Sequence, residues 1–137
     1  AAKYFAIDID RNNQSAFSMF KGQKDHKDDL IIKAQEYIES VIDERISVDE
    51  LAARVALGRR SFERRFKQAT RNSVLEYIQR VKMEAAKRSF EGSRKNINEV
   101  MFEVGYTDNK AFRSTFKKIT GLTPLEYRNK YNKLSLA

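Results

Sequence analysis

The chain contains no cysteine, which excludes disulfides and thiolate metal sites. It contains one histidine, His26, so a zinc site has no plausible ligand set. One proline and five glycines argue against a β-sandwich and against a disordered low-complexity chain. No apolar run approaches the ~18–20 residues that a membrane-spanning helix needs, and no signal peptide stands at the start. Without cysteine, and with His26 in a polar loop, no nucleophile–base set is visible. These absences point to a cytoplasmic protein that is not an enzyme and carries no cofactor, metal or membrane anchor.

What is present suggests a compact helical protein. Of 137 residues, 41% are hydrophobic and 34% charged, enough for one ordinary domain or two very small ones. The net charge of +8 is unevenly placed. Residues 1–45 carry 7 Lys/Arg against 9 Asp/Glu, and residues 46–137 carry 20 against 10. A basic block of that size attracts polyanions; a merely solvated basic surface is the competing reading. The chain starts Ala-Ala-Lys without Met, which suggests a fragment whose further functions lie upstream.

Residues 1–26 differ from the rest. "KYFAIDI" (3–9) reads as a short strand, and the polar segment after it as a linker or the remnant of a preceding domain. Asp28 or Asp29 then caps a helix whose stripe of Ile31, Ala34, Ile38, Val41 and Ile42 runs to about Arg45. Four capping boxes follow: Ser47-x-x-Glu50, Ser73-x-x-Glu76, Asn96-x-x-Glu99 and Thr123-x-x-Glu126. Each precedes an apolar run of helical period, and Pro124 occupies a first helical position, where its missing N–H costs nothing. The run after Ser73 is about eighteen residues, or roughly 27 Å of helix, and Gly92 ends it. His26 falls in a loop expected at the surface.

Two segments are near copies. "FERRFKQAT" (62–70) and "FRSTFKKIT" (112–120) align at an offset of fifty, as do Leu75, Glu76 and Tyr77 with Leu125, Glu126 and Tyr127. Upstream, Val48, Glu50, Leu51 and Val55 match Ile97, Glu99, Val100 and Val104 at an offset of forty-nine. The repeated unit is a short helix, a tight turn, a basic helix and the start of another capped helix, which is helix-turn-helix geometry. The paired phenylalanines share one helix face and are core residues. The opposite face, towards the N-terminus, carries long polar and cationic side chains free to enter a groove.

The stretch "FEVGYTDNKAFRSTFKKITGLTPLEYR" (102–128) is similar to the signature region of the AraC/XylS family of bacterial transcription regulators. The resemblance covers about residues 28–131 and rests on the Gly-Tyr turn, the Phe-x-x-x-Phe-Lys helix and the Gly-x-Thr-Pro-x-x-Tyr-Arg end. It implies an all-α fold of seven helices: two helix-turn-helix units joined by a long central helix, near 29–44, 48–55, 59–70, 74–91, 97–104, 109–119 and 124–131. Reading helices would lie at 59–70 and 109–119. The first unit departs from the pattern: Ala56-Leu57 stands for Gly105-Tyr106, Gly58 for a capping Ser or Thr, and Arg71 for Gly121. Residues 1–26 more faintly resemble the tail of the amidotransferase-like sensor domain of the GlxA subgroup. The implied division is 1–27 as linker or tail, 28–72 as the first unit, 73–92 as the bridge and 93–137 as the second unit.

Candidate base-reading residues are Arg59, Arg60, Glu63 and Arg64 on the first reading helix, and Asn109, Lys110, Arg113 and Ser114 on the second. Arg and Lys suit guanine, Asn suits adenine, and Glu accepts from cytosine N4. Candidate phosphate contacts are Lys67, Asn72, Ser73, Lys117, Lys118 and Thr123, the capped helix starts supplying free N–H groups and a dipole. For each base-reading residue a phosphate contact or a solvated charge is the competing reading; for Ser73 and Thr123 it is simple capping. The expected partner is double-stranded promoter DNA, with RNA polymerase as a further one and an effector or dimer contact upstream. A non-specific nucleoid or RNA-binding module is the principal alternative, followed by a helical adaptor.

Overall fold

Seven α-helices make up residues 24–134, the part of the chain that this computed structural model describes. They are α1 Asp29–Ser40, α2 Val48–Arg54, α3 Arg59–Thr70, α4 Val74–Gly92, α5 Ile97–Glu103, α6 Asn109–Thr120 and α7 Pro124–Tyr131. No strand occurs among these residues; the strand expected at 3–9 lies outside them. All four capping boxes form: Ser47, Ser73, Asn96 and Thr123 accept the backbone N–H three residues on, and each partner Glu accepts the N–H of the capping residue. Asp28 caps α1, Asp108 caps α6, and Gly58 starts α3 without a side-chain cap.

One boundary differs from the sequence pattern. The stripe that includes Val41 and Ile42 predicts a helix to about Arg45, yet α1 ends at Ser40. Val41 leaves the helical region at φ −125°, ψ 43°. The apolar period continues because the turn itself is packed: Ile42 lies against both hydrophobic cores. Periodicity cannot separate a buried turn from a last helical turn. His26 also differs, being half-buried. Its Nδ1 accepts the Asp28 N–H at 3.1 Å, which leaves the proton on Nε2 to donate to Gln35 Oε1 at 2.9 Å.

The buried side chains form two clusters. The first joins α1, α2, α3 and the N-terminal half of α4 around Ile31, Ile38, Leu51, Phe62, Phe66, Tyr77 and Val81. The second joins the C-terminal half of α4 to α5, α6 and α7 around Met83, Phe90, Val100, Phe112, Phe116 and Tyr127. Helix α4 thus belongs to both units, changing core between Val81 and Met83.

This sharing extends the internal repeat to a further helix. Buried Ile31, Ala34, Gln35 and Ile38 of α1 correspond to buried Met83, Ala86, Lys87 and Phe90 of α4 at an offset of fifty-two. The rings repeat as well. Phe66 meets Tyr77 edge-on with centroids 5.4 Å apart, and Phe116 meets Tyr127 at 5.5 Å. The Tyr77 hydroxyl donates to Glu39 Oε2 at 2.7 Å, and that of Tyr127 donates to Glu91, which sits fifty-two residues after Glu39. A buried tyrosine hydroxyl needs such an acceptor.

The departures of the first unit leave its backbone path intact. Ala56 adopts φ 57° where Gly105 has φ 82°, and Arg71 adopts φ 66° where Gly121 has φ 85°. The turn bonds match: Leu57 N–H reaches Ala52 O and Tyr106 N–H reaches Met101 O, both at 3.0 Å. A left-handed residue other than Gly costs roughly 1–2 kcal/mol.

Candidate nucleic-acid interface

Helices α3 and α6 each bury a phenylalanine pair and turn a polar face outward. Phe62, Phe66, Phe112 and Phe116 are fully buried. At 3.6 residues per turn, fixing two aromatics four apart inward forces the residues beside them outward. Arg59, Arg60, Glu63, Arg64 and Lys67 are accordingly exposed on α3, and Lys110, Arg113, Ser114, Lys117 and Lys118 on α6. Asn109 is half-buried.

The first residue of each basic helix is already engaged. Arg59 lies 3.4 Å from Asp49 of α2 and 3.6 Å from Glu63 one turn on. Asn109 Nδ2 donates to Asn98 Oδ1 of α5 at 2.7 Å. Asp49 and Asn98 occupy the same second position of their helices, so the lead-in helix braces the front of the basic helix in both units. Surface pairs of this length are weak, and Arg59 can exchange partners at little cost. Lys118 also has a neighbour, Gln79 Oε1 of α4, at 3.4 Å.

Behind these side chains, Arg65 forms a two-pronged contact with Asp28 at 2.8 and 3.1 Å, tying α3 to the start of α1. The hydrogen bond from Arg65 holds the Asp28 carboxyl below its ordinary range. The sequence reading missed Arg65: it sits among four other Arg and Lys residues between 59 and 67, and nothing local marks which cation faces α1.

The second group of candidates gathers at the starts of α4 and α7. Thr70 and Thr120 close the preceding helices: the hydroxyls accept the N–H of Asn72 at 3.1 Å and of Leu122 at 3.2 Å. Asn72 and Ser73 on one side, Leu122 and Thr123 on the other, therefore follow the same turn. Lys67 sits near enough to the α4 start to help lower the Glu76 pKa, and Lys117 does the same for Glu126; the larger cause in each is the N–H of the capping residue bonded to the carboxylate. Because those carboxylates occupy the N–H groups of Ser73 and Thr123, the donors left for an anion are the next N–H groups. At α7 that excludes Pro124, which has none. Leu75 and Leu125 stand exposed at the same two places, at 59% and 49%.

Among the described residues no group of His, Asp and Glu side chains could hold a metal ion, and no helix is long and apolar enough to cross a membrane.

The chain resembles known proteins over this same region. A family model described as "Helix-turn-helix domain" matches residues 51–130. The xylose operon regulatory protein of Escherichia coli (strain K12) is 32% identical over 102 residues, which is 74% of this chain and 26% of that protein. The chain thus spans about a quarter of the length of that curated relative. The crystal structure of the DNA-binding domain of AdpA, a global transcriptional factor in complex with a target DNA, superposes with a TM-score of 0.71 and 29% identity over 74% of this chain and 91% of that one. The C-terminal domain of AraT, a response regulator from Geobacillus stearothermophilus, has a TM-score of 0.72 at 23% identity, over 75% and 86% of the two chains.

Proposed function

This chain belongs to the helix-turn-helix domain family in its AraC form, a family of DNA-binding transcription-regulator domains and not of enzymes, and from that premise we propose how it reads DNA. Helices α3 and α6 are the reading helices, entering successive major grooves from one side. Arg59, Arg60, Glu63 and Arg64 meet one set of base edges; Asn109, Lys110, Arg113 and Ser114 meet the other. Lys67, Lys117 and Lys118, with the N–H groups that follow Asn72–Ser73 and Leu122–Thr123 at the starts of α4 and α7, hold the phosphate backbone. The observation that carries this reading is the repetition: two units bury the same phenylalanine pair and expose polar and cationic residues at the same helical positions.

Arg59 and Glu63 add a refinement. Their mutual contact at 3.6 Å keeps the guanidinium over the front of α3 before DNA arrives. On binding, Arg59 exchanges a weak surface pair for guanine, while Glu63 becomes available to cytosine N4.

The finer organisation follows the same reading. Residues 28–72 and 93–137 are the two units and 73–92 the bridge; residues 1–27 are the linker or tail of an upstream amidotransferase-like sensor domain of the GlxA subgroup. An effector or a dimer contact belongs to that upstream part, RNA polymerase is a partner at the promoter, and the setting is the cytoplasm. The similarity to the xylose operon regulatory protein supports a role in operon control for this chain as well.

Selection from random duplexes followed by footprinting tests the proposal. Two short preferred elements about one helical turn apart, roughly 34 Å, are expected. A pool without preference, bound with an affinity set by salt alone, would refute it and favour the non-specific module.

A further inference from the structure

We propose that Lys82 is a positioning residue that holds the two reading helices at one separation and rotation, so that the two halves of an operator are bound only at a fixed spacing. This rests on the DNA-reading role proposed above for α3 and α6.

Lys82 lies on α4 between Val81, the last residue of the first core, and Met83, the first of the second. It is 6% exposed. Its Nζ donates to three backbone carbonyls: Ile42, Glu44 at 2.8 Å and Val104 at 3.1 Å. An ammonium has three N–H donors, so every one is satisfied. Two of the acceptors belong to the turn after α1 in the first unit, and the third is the residue that caps the C-terminus of α5 in the second. Carbonyls at helix ends lack intrahelical partners and carry negative dipole charge. One cation therefore joins the C-terminal end of α5 to the turn beyond the C-terminal end of α1. Asp43 and Glu44 add opposite charge nearby, against the burial that opposes the charged form.

The main helix–helix packing of the two units runs through α4 itself, supplemented by Ile42, which touches both cores, and by the Lys118–Gln79 contact. Gly105 shows how close the joint is. A Cβ there would lie 2.9 Å from Lys82 Nζ and 3.1 Å from the Asp43 backbone, so the second unit's turn is seated directly on the first unit's turn. Without the ammonium, three carbonyls lose a buried donor. Each core keeps its own apolar contacts, and the units gain freedom to rotate about α4.

The test uses the full chain and two readouts. In the free protein, spin labels are attached to cysteines introduced at Gln68 on α3 and Asn129 on α7, which is clean because the chain has no cysteine of its own. The label–label distance distribution should be narrow in the parent and broader in Lys82→Met. On DNA, moving the selected half-sites apart by one base pair should weaken parent binding at least tenfold, and Lys82→Met should lose most of that penalty while binding an isolated half-site within about twofold of the parent. Lys82→Arg, which keeps the cation, should restore part of the spacing penalty. An unchanged distance distribution in a folded Lys82→Met overturns the clamp. A broadened distribution with an unchanged spacing penalty overturns its role in operator spacing. If Lys82→Met does not fold, Gly105→Ala, which crowds the same joint from the other side, serves in both readouts with the same criteria. If the parent itself shows no site preference, the DNA reading fails, while the distance measurement still decides the clamp.

Discussion

Gly105→Ala and Gly121→Ala place the same methyl group on two residues with nearly the same backbone, φ 82° and φ 85°. An alanine in the left-handed region costs roughly 1–2 kcal/mol, and loss of unfolded-chain freedom returns about 0.4–1 kcal/mol. Gly121 has open space around the added Cβ, so its net loss should be about 1 kcal/mol, within about 0–1.6 kcal/mol by that balance. At Gly105 the Cβ would meet Lys82 Nζ at 2.9 Å and the Asp43 backbone at 3.1 Å. The lysine end could shift; the backbone of a turn that itself packs on both cores could not do so freely. Overpacking of this kind adds about 1–3 kcal/mol, giving roughly 2–4 kcal/mol in all when added to a strain balance of about 1 kcal/mol. For a chain of this size, about 3–5 °C of Tm accompanies each kcal/mol. Thermal unfolding followed by far-UV circular dichroism should therefore separate the two variants clearly. Equal losses would mean that the Gly105 turn does not rest on the first unit, and the account of the joint would fail with it. Ala56→Gly provides a third point: relief of strain and the added unfolded-state freedom nearly cancel, so a change within about 1 kcal/mol is expected.

Arg64→Ala should weaken a selected operator far more than random duplex, whereas Lys117→Ala should weaken both alike and flatten the salt dependence by about one unit of slope; identical losses for both variants on both DNAs at one salt concentration would defeat that division of roles. Phe66→Ala and Phe116→Ala should each cost about 3–5 kcal/mol, with amide-exchange protection lost mainly in the mutated unit, and uniform loss across both units would argue against two separate cores. The carboxyls of Asp28, Glu76 and Glu126 all lie below their ordinary values, the first through the Arg65 hydrogen bond and the others through the N–H of their capping residues. A depressed folded-state pKa contributes stability that is complete above the unfolded value and is lost as pH falls through the folded one. Unfolding midpoints should thus decline below about pH 4.5, the ordinary glutamate value. Glu76→Gln keeps the capping bond but cannot titrate; its decline should be shallower than the parent's, and an equal slope would refute the assignment.

Much of this architecture was written locally. Four capping boxes fixed four helix starts, because the bonds involved span only three residues. The phenylalanine spacing settled which faces of α3 and α6 turn inward, since helical geometry leaves no alternative. The outward row of candidate contacts followed from that orientation. Resemblance to a known family added the count of seven helices and the order of the two units. The end of α1 is not legible in the apolar pattern because Ile42 is apolar for a reason unrelated to helix, being wedged between two cores.

Other features depended on parts of the chain far apart in sequence. The correspondence of α1 with the second half of α4 was hidden because only Ala34/Ala86 and Glu39/Glu91 among those buried or paired positions keep the same residue; burial, not identity, relates the rest. The pairing of Arg65 with Asp28 spans thirty-seven residues. Lys82 reads in sequence as one more cation on a basic helix, and its burial appears only when turns forty residues before it and twenty-two after it converge on its ammonium. Local sequence sets the elements because their bonds close within a few residues. The placement of one unit against the other was decided by tertiary structure, because it depends on carbonyl groups that every residue possesses and that no side-chain pattern can announce.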